Sequence, residues 1–254
     1  MNSHTSARPQ CGLYLGIIFS MLNCYQLNTV EAADQRQGDA LALAWMESSF
    51  QFSYHPWRNT MQALLQHVLP ASVGEWLTPP AGFDSLAKVQ QVRVDGRSAW
   101  HLRYEREDGL NTGLGGEHFS LLIAEEGGLL GATHFAQDLI SAALPDEREA
   151  YRHAVAYLDE HAPDLIDGLS LQWIKPHGEM FLVDDGHGGK SARTLTGMKV
   201  KCRNSKDGRY FWVIVGAQGQ VLTFERDVVW DFLRAQRQTE KWLHDSWVAE
   251  RLTA

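Results

Sequence analysis

Two aliphatic hairpins constrain the fold of this chain more than any other feature of its sequence. Each consists of an apolar run, a glycine-containing turn and a second apolar run, at residues 118–135 and 209–226. The glycines supply the positive φ that a tight turn requires. The two segments align without a gap at an offset of 91 residues, from His118 to Arg209. They therefore predict antiparallel sheet built from a duplicated unit.

The segments before and between the hairpins are predicted to add strands. Residues 89–94 and 98–105 have a strand-like composition. In the second of them, Trp100, Leu102 and Tyr104 alternate with polar residues, which is the period of a sheet with one buried face. Further strands are predicted at residues 169–175, 179–183, 198–203, 209–215 and 220–225.

Helical patterns occur before the first hairpin and between the two hairpins. Residues 35–49 and 57–68 are predicted helices. Residues 146–161 predict a longer helix with an acidic first turn and one apolar face. The sequence therefore combines helices with antiparallel strands, which is an α+β pattern.

The C-terminal residues 227–252 are predicted to form an amphipathic helix that Asp227 caps. Its tryptophans allow two interpretations. They pack against the sheet, as the apolar face of such a helix usually does. Alternatively, Trp230, Trp242 and Trp247 form an exposed face that binds a partner.

The N-terminal residues have the layout of a secretory signal peptide. Arg8 precedes an uncharged apolar run, and Val30 and Ala32 are small enough for the −3 and −1 positions of a cleavage after Ala32. The apolar run is about half of the ~20 residues that a membrane span needs, so an uncleaved anchor is the weaker alternative. The sequence predicts export, with no stable membrane span after cleavage.

Cysteine usage agrees with export. Cys11 and Cys24 would leave with the signal, and Cys202 would remain alone, unable to close an internal disulfide. Cys202 is predicted to be a small buried strand residue. The alternatives are an intermolecular disulfide and a reactive thiol whose pKa the neighbouring Lys201 and Arg203 lower.

One loop has the composition of a metal site. Asp184, Asp185 and His187 lie in a glycine-rich stretch that ends at Lys190. Carboxylates and neutral imidazoles are ligands for divalent ions. The alternative is a solvated hairpin loop, because Asp and Gly form turns whatever their function. Elsewhere, His101, His134 and His244 are among the histidines predicted to lie at the surface or at a sheet edge.

The order of a helix, strands, an aliphatic strand, a glycine turn and another strand resembles the PepSY or YcdB-like repeat of exported bacterial proteins. The residues that carry this resemblance are 118–135, the helix that begins at Asp146, and 211–224. The resemblance implies a PepSY-like or cystatin-like fold and a binding or inhibitory module rather than an enzyme. It transfers no catalytic residue to this chain.

The sequence thus predicts an α+β protein with two tandem helix-plus-antiparallel-sheet units and a C-terminal Trp-rich helix. The predicted divisions are a signal peptide at 1–32, N-terminal helices and a first unit at 33–144, a second unit at 145–227 and a helical tail at 228–254.

The predicted function is that of a periplasmic or secreted, non-catalytic binding or inhibitory protein of the bacterial envelope. Its partner would be another envelope protein or a peptide. Nucleic acid is disfavoured, because the net charge is −8 and no basic stripe is visible. The alternative is a metal-dependent hydrolase that uses Asp184, Asp185 and His187. No organic cofactor is predicted.

Overall fold

The computed structural model describes residues 78–141 and 143–252. In this part of the chain eight strands form a single antiparallel sheet with the order β1-β2-β3-β4-β8-β7-β6-β5. The strands are β1 (Ser85–Val94), β2 (Arg97–Glu105), β3 (His118–Ala124), β4 (Leu129–Phe135), β5 (Leu169–Asp184), β6 (Lys190–Asn204), β7 (Tyr210–Val215) and β8 (Val221–Val228).

The prediction of two tandem units is wrong, because both halves of the chain belong to the same sheet. β1–β4 and β5–β8 are each a meander, and the meanders join where β4 pairs with β8. The two aligned hairpins are confirmed as β3–β4 and β7–β8, and they lie side by side at the centre of the sheet. In two separate sheets β4 and β8 would each have been an edge strand, but here they pair with each other at the centre of one sheet.

The predictions at residues 1–32, 35–49 and 57–68 lie outside the described residues, as do Cys11 and Cys24. In the described chain, the predicted strands 169–175 and 179–183 are one continuous strand, β5, of 16 residues. None of the helices in residues 78–141 and 143–252 is long and apolar enough to cross a membrane.

Helix α1 (Glu147–His161) confirms the predicted helix and covers one face of the sheet, here called the helix face. Asp146 caps it, because its carboxylate accepts a hydrogen bond from Glu149 N at 2.8 Å. Ala154 and Leu158 are buried against the sheet, and the ring of Tyr157 lies 5.5 Å from that of Phe224. The helix face is therefore closed by ordinary apolar packing. The cluster also includes Leu102, Ile123, Val200, Phe211 and Val213.

The opposite face is also buried, which corrects the prediction of one buried face. His101 is only 4% exposed and Arg103 only 5%. Two segments cover this face: the bent tip of the β5–β6 hairpin and the residues 238–252, called here the C-terminal strap. This strap face has apolar contacts near its ends, such as Leu243 against Gly131, and polar side chains at its centre.

The predicted C-terminal helix is wrong for most of its length. β8 continues to Val228, a two-stranded hairpin follows with β9 (Trp230–Asp231) and β10 (Gln236–Arg237), and only α2 (Asp245–Leu252) is helical. Apolar residues at 228, 230 and 232 repeat with a period of two, which indicates a strand rather than a helix. Asp227 has φ of 58° and lies inside β8, so it caps no helix.

Candidate binding surface

An exposed group of aromatic side chains surrounds one lysine where β5, β6 and β7 meet the β9–β10 hairpin. The Nζ atom of Lys201 lies 4.6 Å from the ring centre of Tyr210, 5.6 Å from that of Trp173 and 5.8 Å from that of Trp230. The ring of Phe232 lies 6.4 Å from that of Tyr210. We call these five residues the aromatic–lysine surface.

Alternation along the strands explains this arrangement. Residues paired across strands share a face, and the register pairs Trp173 with Lys201 and Arg203 with Tyr210. The adjoining hairpin brings Trp230 and Phe232 beside them. Trp230 is 40% exposed and Phe232 71% exposed, and Leu233 at the hairpin tip is fully exposed. Contiguous apolar side chains at this exposure are characteristic of interaction surfaces.

Strand β5 lies at one edge of the sheet, next to this surface. Most of its residues are exposed, including Leu171 on its other face at 45%. Pro176 interrupts the row of backbone donors, and further along Leu182 N already donates to Gly115 O at 2.7 Å. The stretch available for an added strand is therefore residues 169–175, which begin the edge strand.

A buried charge cluster lies close to this surface on the same face of the sheet. Glu225 is 3% exposed, and its carboxylate binds Arg237 at 2.6 Å and His244 at 2.8 Å. Burial would raise the pKa of Glu225, but His244 and Arg237 hold it far below its usual range. Burial opposes protonation of His244, yet Glu225, with Glu179 beyond it, raises its pKa. These charges hold the C-terminal strap and β10 against the sheet.

A second ion cluster fixes the start of α2. Arg103 binds Asp245 at 2.9 Å and Glu105 at 2.9 Å, and its guanidinium also donates to Gly113 O. Asp245 in turn accepts a hydrogen bond from Gly115 N at 2.6 Å. These contacts bind the loop before β3 to the strap.

The strap face also contains Asp245, His118 and Ser120, which are the three residue types of a hydrolytic triad. They are not arranged as a triad. Asp245 Oδ2 lies 3.8 Å from His118 Nδ1, which is instead 2.9 Å from Gly116 O. His118 Nε2 and Ser120 Oγ have no hydrogen-bond partner in the described structure, so they do not bond each other. Both residues are 1% exposed. A nucleophile needs an adjacent base and access for a substrate, and this group has neither.

The predicted metal loop forms the turn between β5 and β6. Asp185 accepts hydrogen bonds from the backbone N–H groups of His187 and Gly189, at 2.8 and 2.9 Å. Asp184 lies 2.8 Å from Lys190 Nζ, and hydrogen bonds from Lys190 and from Asn111 N lower its pKa. In residues 78–141 and 143–252, no group of three or more His, Cys, Asp or Glu side chains could hold a metal ion. The loop thus has the contacts of a solvated turn.

The three predicted tryptophans do not lie together. Trp242 and Trp247 pack against each other in the strap, with ring centres 5.0 Å apart, and Trp242 Nε1 donates to Arg93 O of β1. Arg251 covers the ring of Trp247 at 3.6 Å. Only Trp230 belongs to the aromatic–lysine surface. Trp242 and Trp247 therefore pack against the protein, as one interpretation predicted, whereas Trp230 is exposed, as the other predicted.

Cys202 is confirmed as a buried strand residue. It is 1% exposed on the helix face, and burial raises its thiol pKa to about 12. The alternative of a reactive thiol fails because Lys201 and Arg203, its sequence neighbours, point to the opposite face of β6. Residues that are neighbours in the sequence of a strand point to opposite faces, so these two cations do not lie beside the thiol.

A groove on the helix face, with a volume of about 880 Å³, runs between α1 and the strands β3 and β4. Its lining is mostly apolar and includes Phe119, Leu121 and Tyr157. His134 also lines it, and burial lowers its pKa to about 4. His153, Glu160 and His161 also line the groove, so it combines apolar and titratable side chains.

Sequence reasoning identified one member of the aromatic–lysine surface, Trp230, and missed the other four. The signal for Trp173, Lys201 and Tyr210 lay in the alternation of the strands. Once β5–β6 and β6–β7 are paired as hairpins, these residues share one face. Of the histidines predicted to lie at the surface or at a sheet edge, His101 is instead buried, and burial with the charges of Lys88 and Arg103 lowers its pKa to about 3.

Comparison with models of known protein families, with curated proteins and with solved structures found no match to this chain.

Proposed function

We propose that this is a binding or inhibitory protein without catalytic activity, and that it binds an extended segment of another protein of the bacterial envelope. The segment pairs with the edge of β5 and its side chains contact the aromatic–lysine surface. The observation that carries this proposal is the contiguous exposed group of Trp173, Trp230 and Phe232 beside an edge strand.

The arrangement supports recognition of a strand in two ways. The backbone edge at residues 169–175 supplies hydrogen bonds that are independent of partner sequence, and alternate partner side chains reach the surface. Large aromatic residues dominate the energy of such contacts. The resemblance to exported PepSY-like modules and the predicted signal peptide favour a partner in the envelope.

The buried charges support a non-catalytic role. His101 and His118 are each at most 4% exposed, and the ion pairs of Glu225 and Asp245 fasten the strap to the sheet. The two carboxylates therefore have structural partners, and the two imidazoles are closed to solvent. The alternative, a hydrolase with a metal at Asp184, Asp185 and His187, has no observation in its favour beyond composition.

The test is a titration of the full chain with a synthetic peptide in which Val alternates with Gln, followed by tryptophan fluorescence. This peptide has the extended shape and no charge. We expect a change in fluorescence on binding, and about tenfold or weaker affinity after the double substitution Trp230→Ala and Phe232→Ala. Both side chains are exposed, so the variant should fold as the parent does.

Leu110→Ala is the matched control, because Leu110 is 56% exposed on a loop outside the surface. It should bind the peptide as the parent chain does. Equal binding by all three chains would place the interaction elsewhere, and a peptide that binds none of them would remove the support for an edge-strand site.

A further inference from the structure

Four cations lie on the exposed part of the strap face along β5 and β6. The register pairs Lys175 with Lys199 and Trp173 with Lys201, and Arg203 follows Lys201 at the next position on this face. The chain as a whole has a net charge of −8. The charge of this region is therefore positive, whereas the net charge of the whole chain is negative.

None of the three lysines in this group has a carboxylate partner among the described residues. The lysine ion pairs within the described residues are Lys190 with Asp184 and Lys206 with Asp167, so neither Lys199 nor Lys201 has one within 4.0 Å. Lys199 instead lies 3.9 Å from the ring centre of Trp212. Cation–π contacts to Trp and Tyr replace the counter-ion for both lysines.

The acids nearest to these lysines are already engaged. Glu225 binds Arg237 and His244, and Glu179 lies 3.5 Å from His177 and 3.9 Å from His244. Partial burial lowers the pKa of Lys201. It also lowers the pKa of Lys199, which is more deeply buried. An ammonium group that has lost water and has no anion gains more from an incoming carboxylate than a fully hydrated one does.

We infer that the aromatic–lysine surface selects acidic partners: the bound segment carries Asp or Glu at alternating positions, and its carboxylates pair with Lys201 and Lys175. The inference rests on the proposed function, because it assigns the chemistry of the segment that pairs with β5. A strand added to that edge lies about 4.8 Å from β5, and every second side chain faces the strap side. The two positions of the bound segment that lie opposite Trp173 and Lys175 are two residues apart. The acidic residues of the segment are therefore expected at every second position.

The test compares three synthetic peptides against the full chain, in which Val alternates with Glu, with Gln or with Lys. We expect the Glu peptide to bind about tenfold more tightly than the Gln peptide, and the Lys peptide to bind more weakly than either. The preference for Glu should shrink as salt rises, because the surface is partly exposed.

Lys201→Gln should remove most of the roughly tenfold preference for Glu, measured in that variant as the ratio of its affinities for the Glu peptide and the Gln peptide. Lys88→Gln is the matched control, since it removes the same charge from β1 at the opposite edge of the sheet. It should retain the preference.

Equal binding of the Glu and Gln peptides would overturn the acidic selectivity and leave the proposed edge-strand function standing. Failure of all three peptides to bind would overturn the proposed function itself. Aromatic and basic residues together also suit single-stranded nucleic acid, so oligothymidylate is a fourth ligand. Binding of oligothymidylate in preference to the Glu peptide would overturn the inference.

Discussion

Two charged regions lie on the same face of the sheet, and they differ in how their charges are compensated. In the buried cluster, Glu225 is held by Arg237 and His244, and every member has an opposite charge within 4.0 Å. In the aromatic–lysine surface, Lys201 has aromatic rings around it and no carboxylate within that distance in the described structure. Ion pairs compensate the charges of the first region, whereas cation–π contacts alone compensate Lys201 in the second region until an anion binds.

This difference separates residues that stabilise the fold from residues available for recognition. Breaking a buried, paired charge leaves its partner uncompensated in a region of low polarity, which is costly. Removing an exposed, unpaired charge leaves nothing unsatisfied. Stability measurements should therefore respond to the first region and binding measurements to the second.

The largest effect on stability is expected from Glu225→Gln. This substitution leaves the guanidinium of Arg237, whose side chain is 7% exposed, without its anion. We expect a loss of about 3–5 kcal/mol in the free energy of unfolding, measured by urea denaturation. Glu240→Gln provides the control, since Glu240 accepts a hydrogen bond from Asp95 N at an exposed position. A loss below about 1 kcal/mol for Glu225→Gln would contradict the assignment of a structural role.

Acidification, a change of conditions rather than of sequence, should also lower stability. Burial is the main cause that lowers the pKa of His101 to about 3 and that of His118 to about 4, below the value of about 6.5 in an unfolded chain. The unfolded state therefore binds more protons, and stability falls as pH drops below about 6.5 towards those folded values. Each histidine contributes up to about 1.4 kcal/mol per pH unit in this range.

His244 acts in the opposite sense, because its pKa is raised by Glu225 and Glu179 despite burial. Its contribution is complete below the unfolded pKa and is lost as pH rises through the folded pKa. The two effects together predict a maximum of stability near neutral pH, measured by urea denaturation across the pH range. His118→Gln should flatten the acid limb, and an unchanged acid slope would show that His118 is not held neutral.

A smaller effect is expected where the strap contacts the sheet at Gly131. A methyl group there would lie 2.5 Å from Leu243 Cδ1 and 2.9 Å from Phe224 O. Gly131→Ala should therefore displace the strap and cost about 1–3 kcal/mol. In Gly128→Ala the added methyl group meets nothing within 4 Å, so it should cost little by comparison. Thermal denaturation of both variants would distinguish strap packing from a general intolerance of alanine.

The smallest effect on stability is expected from Lys201→Gln. No ion pair is lost and only exposed cation–π contacts are removed, so the free energy of unfolding should stay within about 1 kcal/mol of the parent value. The same urea denaturation that measures Glu225→Gln measures this variant. A loss of several kcal/mol would mean that Lys201 supports the fold, and the contrast between the two regions would disappear.

The helix face was predictable because apolar periodicity reports burial directly. The alternation of Trp100, Leu102 and Tyr104 in β2 and the apolar face of α1 both predict the burial that the structure shows. The hairpins β3–β4 and β7–β8 were placed by their glycine turns and their alignment. What the alignment did not reveal was that β4 pairs with β8, because strand order between hairpins depends on long-range contacts.

The strap face was not predictable in the same way. His101 and Arg103 alternate with apolar residues, and that pattern usually denotes a solvated face. Here the strap and the tip of the β5–β6 hairpin cover them, and ion pairs such as Arg103 with Asp245 compensate the buried charge. The partner of Arg103 lies 142 residues further along the chain, so no local pattern identifies it.

The most direct test of the account is amide hydrogen exchange of the full chain with and without the peptide in which Val alternates with Glu. We expect the peptide to slow exchange in residues 169–175 of β5 and in the β9–β10 hairpin. Exchange in β1 at the opposite edge and in the strap should not change. Slower exchange confined to β1 or to the strap, with β5 unchanged, would contradict it.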